Sequence, residues 1–194
     1  MDAKRIYALN QFVASGLRAF IPSLVLALCG CATTGIEDPG SRSPPKVWED
    51  QMLEYDAEKA IKASDPRFES AHLVIVSFNG LVLLVGEVES DELKAKAGEV
   101  VNTFKAVRSV HNELAVSGPI SMVARINDSW LTTKVKTKLV AHGAIDSSRI
   151  NVTTENSVVY LQGIVPRQQA EYAVAVTQTV DGVTKIVKVF EYTD

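Results

Sequence analysis

One segment of this chain occurs twice, and that repetition limits the fold more than any other feature. "LVIVSFNGLVLLVGEV" at 73–88 lines up with "INVTTENSVVYLQGIV" at 150–165. Each copy has two β-branched runs around a short polar turn, the pattern of a β-hairpin. Asn79-Gly80 is a strong type I′ signal, because both central residues of that turn need positive φ. Asn156-Ser157 is a weaker signal, which predicts a longer or less regular second turn. Gly86 and Gly163 hold matching places in the second strand, where a missing side chain lets another element come close. Two copies at this spacing predict two units of roughly 70 residues rather than one mixed domain.

Helices flank each hairpin. Apolar periodicity predicts one before each, at about 48–63 and 129–141. After the first hairpin, Ser90 suits an N-cap with Asp91 and Glu92 in the first turn, leading into "ELKAKAGEVVNTF". After the second, Pro166 suits the first helical position and Asp181-Gly182 the stop. "AVRSVHNELAV" (106–116) and "GVTKIVKVFEY" (182–192) then alternate as closing strands. Each unit reads α-β-β-α-β: an α+β fold with two helices on one face of a three-stranded mixed sheet. The first unit spans 47–117 and the second 126–194. A connection at 118–125 is short enough to favour fixed docking of one unit on the other.

The N-terminus has a different character. Lys4, Arg5 and Arg18 precede "AFIPSLVLAL", an apolar run about half the length of the ~20 residues that a spanning helix needs. It has the form of an export signal, residues 1–30. The charged lead is long for such a signal and would suit an internal start. "LCGC" follows, and a small residue before the second cysteine matches a bacterial lipoprotein cleavage site, with Cys31 as the lipidated residue. Two or more acyl chains anchor stably, since each buried methylene contributes ~0.8 kcal/mol. Processing would leave no thiol and no disulfide. Residues 31–46 continue as "CATTGIEDPGSRSPPK", too polar and proline-rich to bury a core, and read as a disordered tether. Ala32, rather than aspartate, after the cysteine favours the outer membrane, facing the periplasm.

Charge and motifs exclude several classes. The first unit carries 7 basic and 13 acidic side chains, the second 7 and 7. Neither is basic enough for nucleic acid. His72, His111 and His142 are scattered, and no HExxH, CxxC, GxSxG or phosphate-cradling glycine loop occurs. The sequence calls for no catalytic residue, cofactor or metal.

One helix departs from this plain picture. In "NDSWLTTKVKTKLVAHG" (127–143), Leu131, Val135 and Leu139 form an apolar stripe. Trp130 lies about 140° from its centre, beside Thr133, Lys134, Thr137 and Ala141. The equivalent helix of the first unit has five acids and two bases over 47–62, whereas 127–142 has one acid and three bases. An aromatic ring with adjacent lysines suits the headgroup zone of an anionic leaflet. Threonine hydroxyls can bond phosphate oxygens, and a helix start at Asp128-Ser129 would add free N–H groups, with Asp128 as cap. A tryptophan in a first turn can instead pack across the helix start or on a neighbouring domain. Trp48, on the acidic helix, reads as core or interdomain packing.

Two such units behind a lipobox resemble the dual BON-domain outer-membrane lipoproteins. The likeness is densest over "NDSWLTTKV", "NVTTEN", the Gly163 strand and "GVTKIV". Ala106, where the family carries glycine, and Ser157 depart from the pattern at turns. The resemblance implies binding of anionic phospholipid (phosphatidylglycerol or cardiolipin) through Trp130, Thr133, Lys134, Thr137, Lys138 and Ala141. It also implies a role in envelope integrity and enrichment at division sites. A protein–protein adaptor for outer-membrane assembly proteins is the alternative, served by the acidic first unit and by sheet edges able to accept a strand.

Overall fold

The structure, a computed structural model, describes residues 40–118 and 122–194. The expected signal segment, Cys31 and the start of the tether lie outside the described residues. The first unit runs α1 (Pro44–Ser64), β1 (His72–Phe78), β2 (Leu81–Val88), α2 (Asp91–Asn102), β3 (Ser109–Asn112) and β4 (Ala115–Val116). The second runs α3 (Met122–Ala141), β5 (Ile150–Glu155), β6 (Val158–Val165), α4 (Arg167–Gln178) and β7 (Lys185–Tyr192). A single 3₁₀ turn leads into each hairpin, at Pro66–Glu69 and Ser147–Arg149. No helix among the described residues is long and apolar enough to cross a membrane.

Both units have the expected α-β-β-α-β order. The hairpin strands pair antiparallel, and the last strand pairs parallel to the second, so β2 and β6 are central. The closing strand of the first unit, expected over 106–116, breaks after Asn112. There the Asn112 side chain accepts from Leu114 N–H and donates to the Lys94 carbonyl. Both hairpin turns are two-residue turns with positive φ: 51° and 77° at Asn79-Gly80, 50° and 62° at Asn156-Ser157. The second is thus as regular as the first, although a serine there carries the strain that glycine avoids. A Cβ on Gly86 would lie 2.0 Å from the His72 carbonyl oxygen, and one on Gly163 2.1 Å from that of Arg149. These glycines permit the close strand approach that their positions imply.

The helix ends differ from the sequence reading in instructive ways. Ser90 caps α2 as expected, its hydroxyl accepting from Leu93 N–H. Pro166 sits one residue before α4 rather than inside it, and α4 stops at Gln178, ahead of Gly182. Helix α1 starts at Pro44, and residues before it already belong to the body. Gly40 is buried so closely against Ile164 that a Cβ would lie 2.4 Å from its carbonyl oxygen. The Arg42 guanidinium bonds Asp50 at 3.1 Å and lies 4.7 Å from the Phe78 ring centre. The tether expected over 31–46 therefore gives way to folded chain from residue 40. Helix α3 starts at Met122, inside the linker expected over 118–125.

Each unit has its own core. Leu53, Ala57 and Ile61 of α1 meet Val82, Leu84 and Leu93; Leu131, Val135 and Leu139 of α3 meet Val152, Val159 and Leu161. The other faces of the two sheets pack on each other. Leu81, Leu83 and Val85 of β2 join Tyr160 and Val189 in a third cluster, with Val74, Val76, Val158 and Val187 around it. Gln162, fully buried, donates across this seam to the Leu81 carbonyl at 2.6 Å. Alternate residues of β2 thus serve different cores, which is why residues 81–85 are apolar without a break. Stacking the bare sheet faces leaves the helices on the outside.

Candidate functional site

Helix α3 lies along β5, and its buried stripe is the one the spacing predicts: Leu131, Val135 and Leu139 are 0–1% exposed. That register fixes what faces out. Trp130 is 60% exposed and so is not packed on the neighbouring domain. The Lys134 ammonium lies 5.4 Å from the Trp130 ring centre, within cation–π range. Lys138 and Thr137 continue the exposed face, and Ala141 ends it, also exposed.

Trp130, Thr133, Lys134, Thr137 and Lys138 line one groove of about 420 Å³. Its far wall is the loop after α4, Thr179, Val180 and Asp181, which the sequence reading did not include. The Lys138 ammonium donates to both the Thr179 carbonyl and its hydroxyl, at 2.8 Å each. This bond neutralises the carbonyl end of α4 and ties that loop to α3. Ala141 is on the same helix face but does not line the groove.

Three expectations about this helix change. The hydroxyls of Thr133 and Thr137 donate to the carbonyls of Ser129 and Thr133, one turn back. Their protons are committed to the helix, and the oxygens offer lone pairs, which do not suit a phosphate oxygen. Nor does α3 begin at Asp128-Ser129: with two turns ahead of them, these residues supply no free N–H groups. Asp128 is 5% exposed and accepts the N–H groups of Asn156 and Ser157, each at 2.8 Å.

Asp50 does the same for Asn79 and Gly80, at 2.9 and 3.2 Å. One helical carboxylate thus clamps the hairpin turn in each unit. Both aspartates sit seven residues before the middle of the buried stripe, and that acid on an apolar face was the available sequence signal. Trp48 is corrected as well. It is 65% exposed, because nine residues from Ala57 turn it about 180° away from the core. With Met52 and Tyr55, 41% and 61% exposed, it forms an outward stripe on α1.

Comparison with known proteins agrees with this architecture. The family model described as "BON domain" matches residues 49–118 and 127–194. Outer membrane lipoprotein DolP of Haemophilus influenzae is 34% identical over 182 residues, covering 92% of this chain and 93% of that protein. The 21 kDa hemolysin of Actinobacillus pleuropneumoniae is 31% identical over 151 residues, 78% of each chain. Osmotically-inducible protein Y of Escherichia coli is 48% identical over 62 residues, 31% of each. Two matched domains that fill the folded body, and a relative similar along nearly its whole length, give the conclusion that the chain belongs to the BON-domain family, as a two-domain outer-membrane lipoprotein.

Proposed function

We propose that this protein is a non-catalytic lipoprotein that grips the anionic phospholipid of the outer membrane's inner leaflet with the outer face of α3. One observation carries the reading: a 60% exposed indole with an ammonium group 5.4 Å from its ring centre. Water gains nothing from that ring, whereas a headgroup layer takes the indole at its interface and the lysines at its phosphates. The contact set is Trp130, Lys134 and Lys138, with Thr133, Thr137 and Ala141 as the low surface that lets the helix approach. Phosphatidylglycerol and cardiolipin supply the matching charge. Weak contacts suffice, because an acyl anchor on Cys31 would already hold the body near the leaflet. In the cell this binding serves envelope integrity, with enrichment at division sites.

Sedimentation with vesicles tests it, using a soluble form that starts at Asp38 and keeps Arg42 on Asp50. Binding to phosphatidylglycerol vesicles, weaker in salt and lost in Trp130→Ala, is expected. Equal binding to phosphatidylcholine vesicles, or none to either, would overturn the reading. A second reading has its own observation. The Trp48, Met52 and Tyr55 stripe lies on an acidic helix that an anionic leaflet repels; it suits a protein partner among the outer-membrane assembly proteins.

A further inference from the structure

The seam between the two sheets holds a group of side chains that lipid binding leaves unused. His72 opens β1, and Glu87 is its direct partner on β2. Glu155 ends β5 of the other domain. One ligating atom from each of the three lies within 4.8 Å of the others. Glu87 is 4% exposed and Glu155 8%. Glu87 Oε2 and Glu155 Oε1 are sealed from solvent and meet no hydrogen-bond donor among the described residues. Buried carboxylates are normally paired, protonated or bound to a metal.

We infer that His72, Glu87 and Glu155 form a divalent-cation site, of zinc-type chemistry, that joins the two domains. One imidazole and two carboxylates make the three-ligand set that leaves zinc a fourth position, whereas calcium and magnesium prefer oxygen alone. The spacing agrees. His72 Nε2 and Glu155 Oε2 are 3.4 Å apart, too long for a good hydrogen bond. That distance is roughly the edge of a tetrahedron built on zinc bonds of ~2.0–2.1 Å. The charge agrees too. Two carboxylates face one imidazole, Asp128 adds a negative charge nearby and Arg125 offsets it. A cavity of about 390 Å³, lined by His72, Arg125 and Glu155 among others, gives an ion a way in.

Titration of the untagged, metal-stripped full chain in detergent with zinc chloride tests this, followed by calorimetry and thermal melting. One equivalent of zinc should bind and raise the melting temperature. His72→Ala and Glu155→Gln should each weaken binding roughly tenfold or more. Glu87→Gln keeps the shape and removes a buried charge, so it should remain folded by circular dichroism yet lose zinc affinity. Cobalt should give the intense visible bands of a tetrahedral site in the wild type and not in the variants. Absence of saturable zinc binding would overturn the inference, as would binding that the three variants leave unchanged. A Glu87→Gln protein that melts higher, beside a wild type indifferent to zinc, would mean the glutamates share a proton instead, and would equally overturn it.

Discussion

Single side chains do several of the decisive jobs. Asp128 holds two turn amides, and hydrogen bonds to a charged group contribute about 1.5–3 kcal/mol each. Asp128→Ala is therefore expected to lower the unfolding free energy by about 3 kcal/mol in urea, with Asp128→Asn costing less. Asp65 offers a pH test. The side chain and the backbone N–H of Arg67, and then Lys96, hold its carboxyl far below the usual carboxylate range. A depressed folded value means stability that is present above the unfolded pKa, about 3.9, and lost as pH falls towards the lower folded one. The gap in urea midpoint between wild type and Asp65→Asn should be constant near neutrality and close below about pH 4. Among single residues, the glycines and Ser90 were legible because their roles are local. The Asp50 and Asp128 clamps were not, because a cap and a buried clamp use the same residue type and differ only in where the helix starts.

At the level of one helix, the sequence was a good guide to direction and a poor one to length. The 3.6-residue period placed Leu131, Val135 and Leu139 inward and Trp130 outward, as observed. It missed the first two turns of α3, because "SMVARI" follows Gly118-Pro119 and reads as connector, while Asp128-Ser129 offers a cap signal further on. The same period applied to α1 would have turned Trp48 outward; the acidic surroundings led instead to a packing role. Charge on the exposed face of α3 can now be varied without touching the core. Lys134→Glu exchanges an attraction of roughly 1 kcal/mol for a repulsion of similar size. Affinity for phosphatidylglycerol vesicles should fall roughly tenfold or more by sedimentation, while the melting temperature stays within a degree or so, as for most surface changes. Unchanged affinity would move the site away from this helix.

For the molecule as a whole, two domains share a third core. The apolar run 81–85 of β2 is buried on both faces, yet nothing in one strand says what covers the second. That is a question of long-range contact, settled by Gln162, Tyr160 and Val189 reaching β2 from the other unit. Leu83 is fully buried at this seam and points away from its own unit's core. Leu83→Asp would place an unpaired charge there at a cost of several kcal/mol. Calorimetry should then show two separate transitions in place of one, and a single unshifted transition would mean the domains are not coupled.

The entry of the chain into this body has a spatial consequence. Gly40 sits against Ile164, and Arg42 shares a cavity with Lys136, Leu139 and Val140 of α3. From an acylated Cys31 to that point is nine residues, a leash of at most roughly 30 Å. Its attachment point lies beside α3, whose outer face is the proposed lipid contact, so acylation at Cys31 would hold the body within about one bilayer thickness of the surface. Under that proposal docking would need a short reorientation rather than a search, and one indole with a few ammonium groups would act at the high local concentration that an anchor supplies.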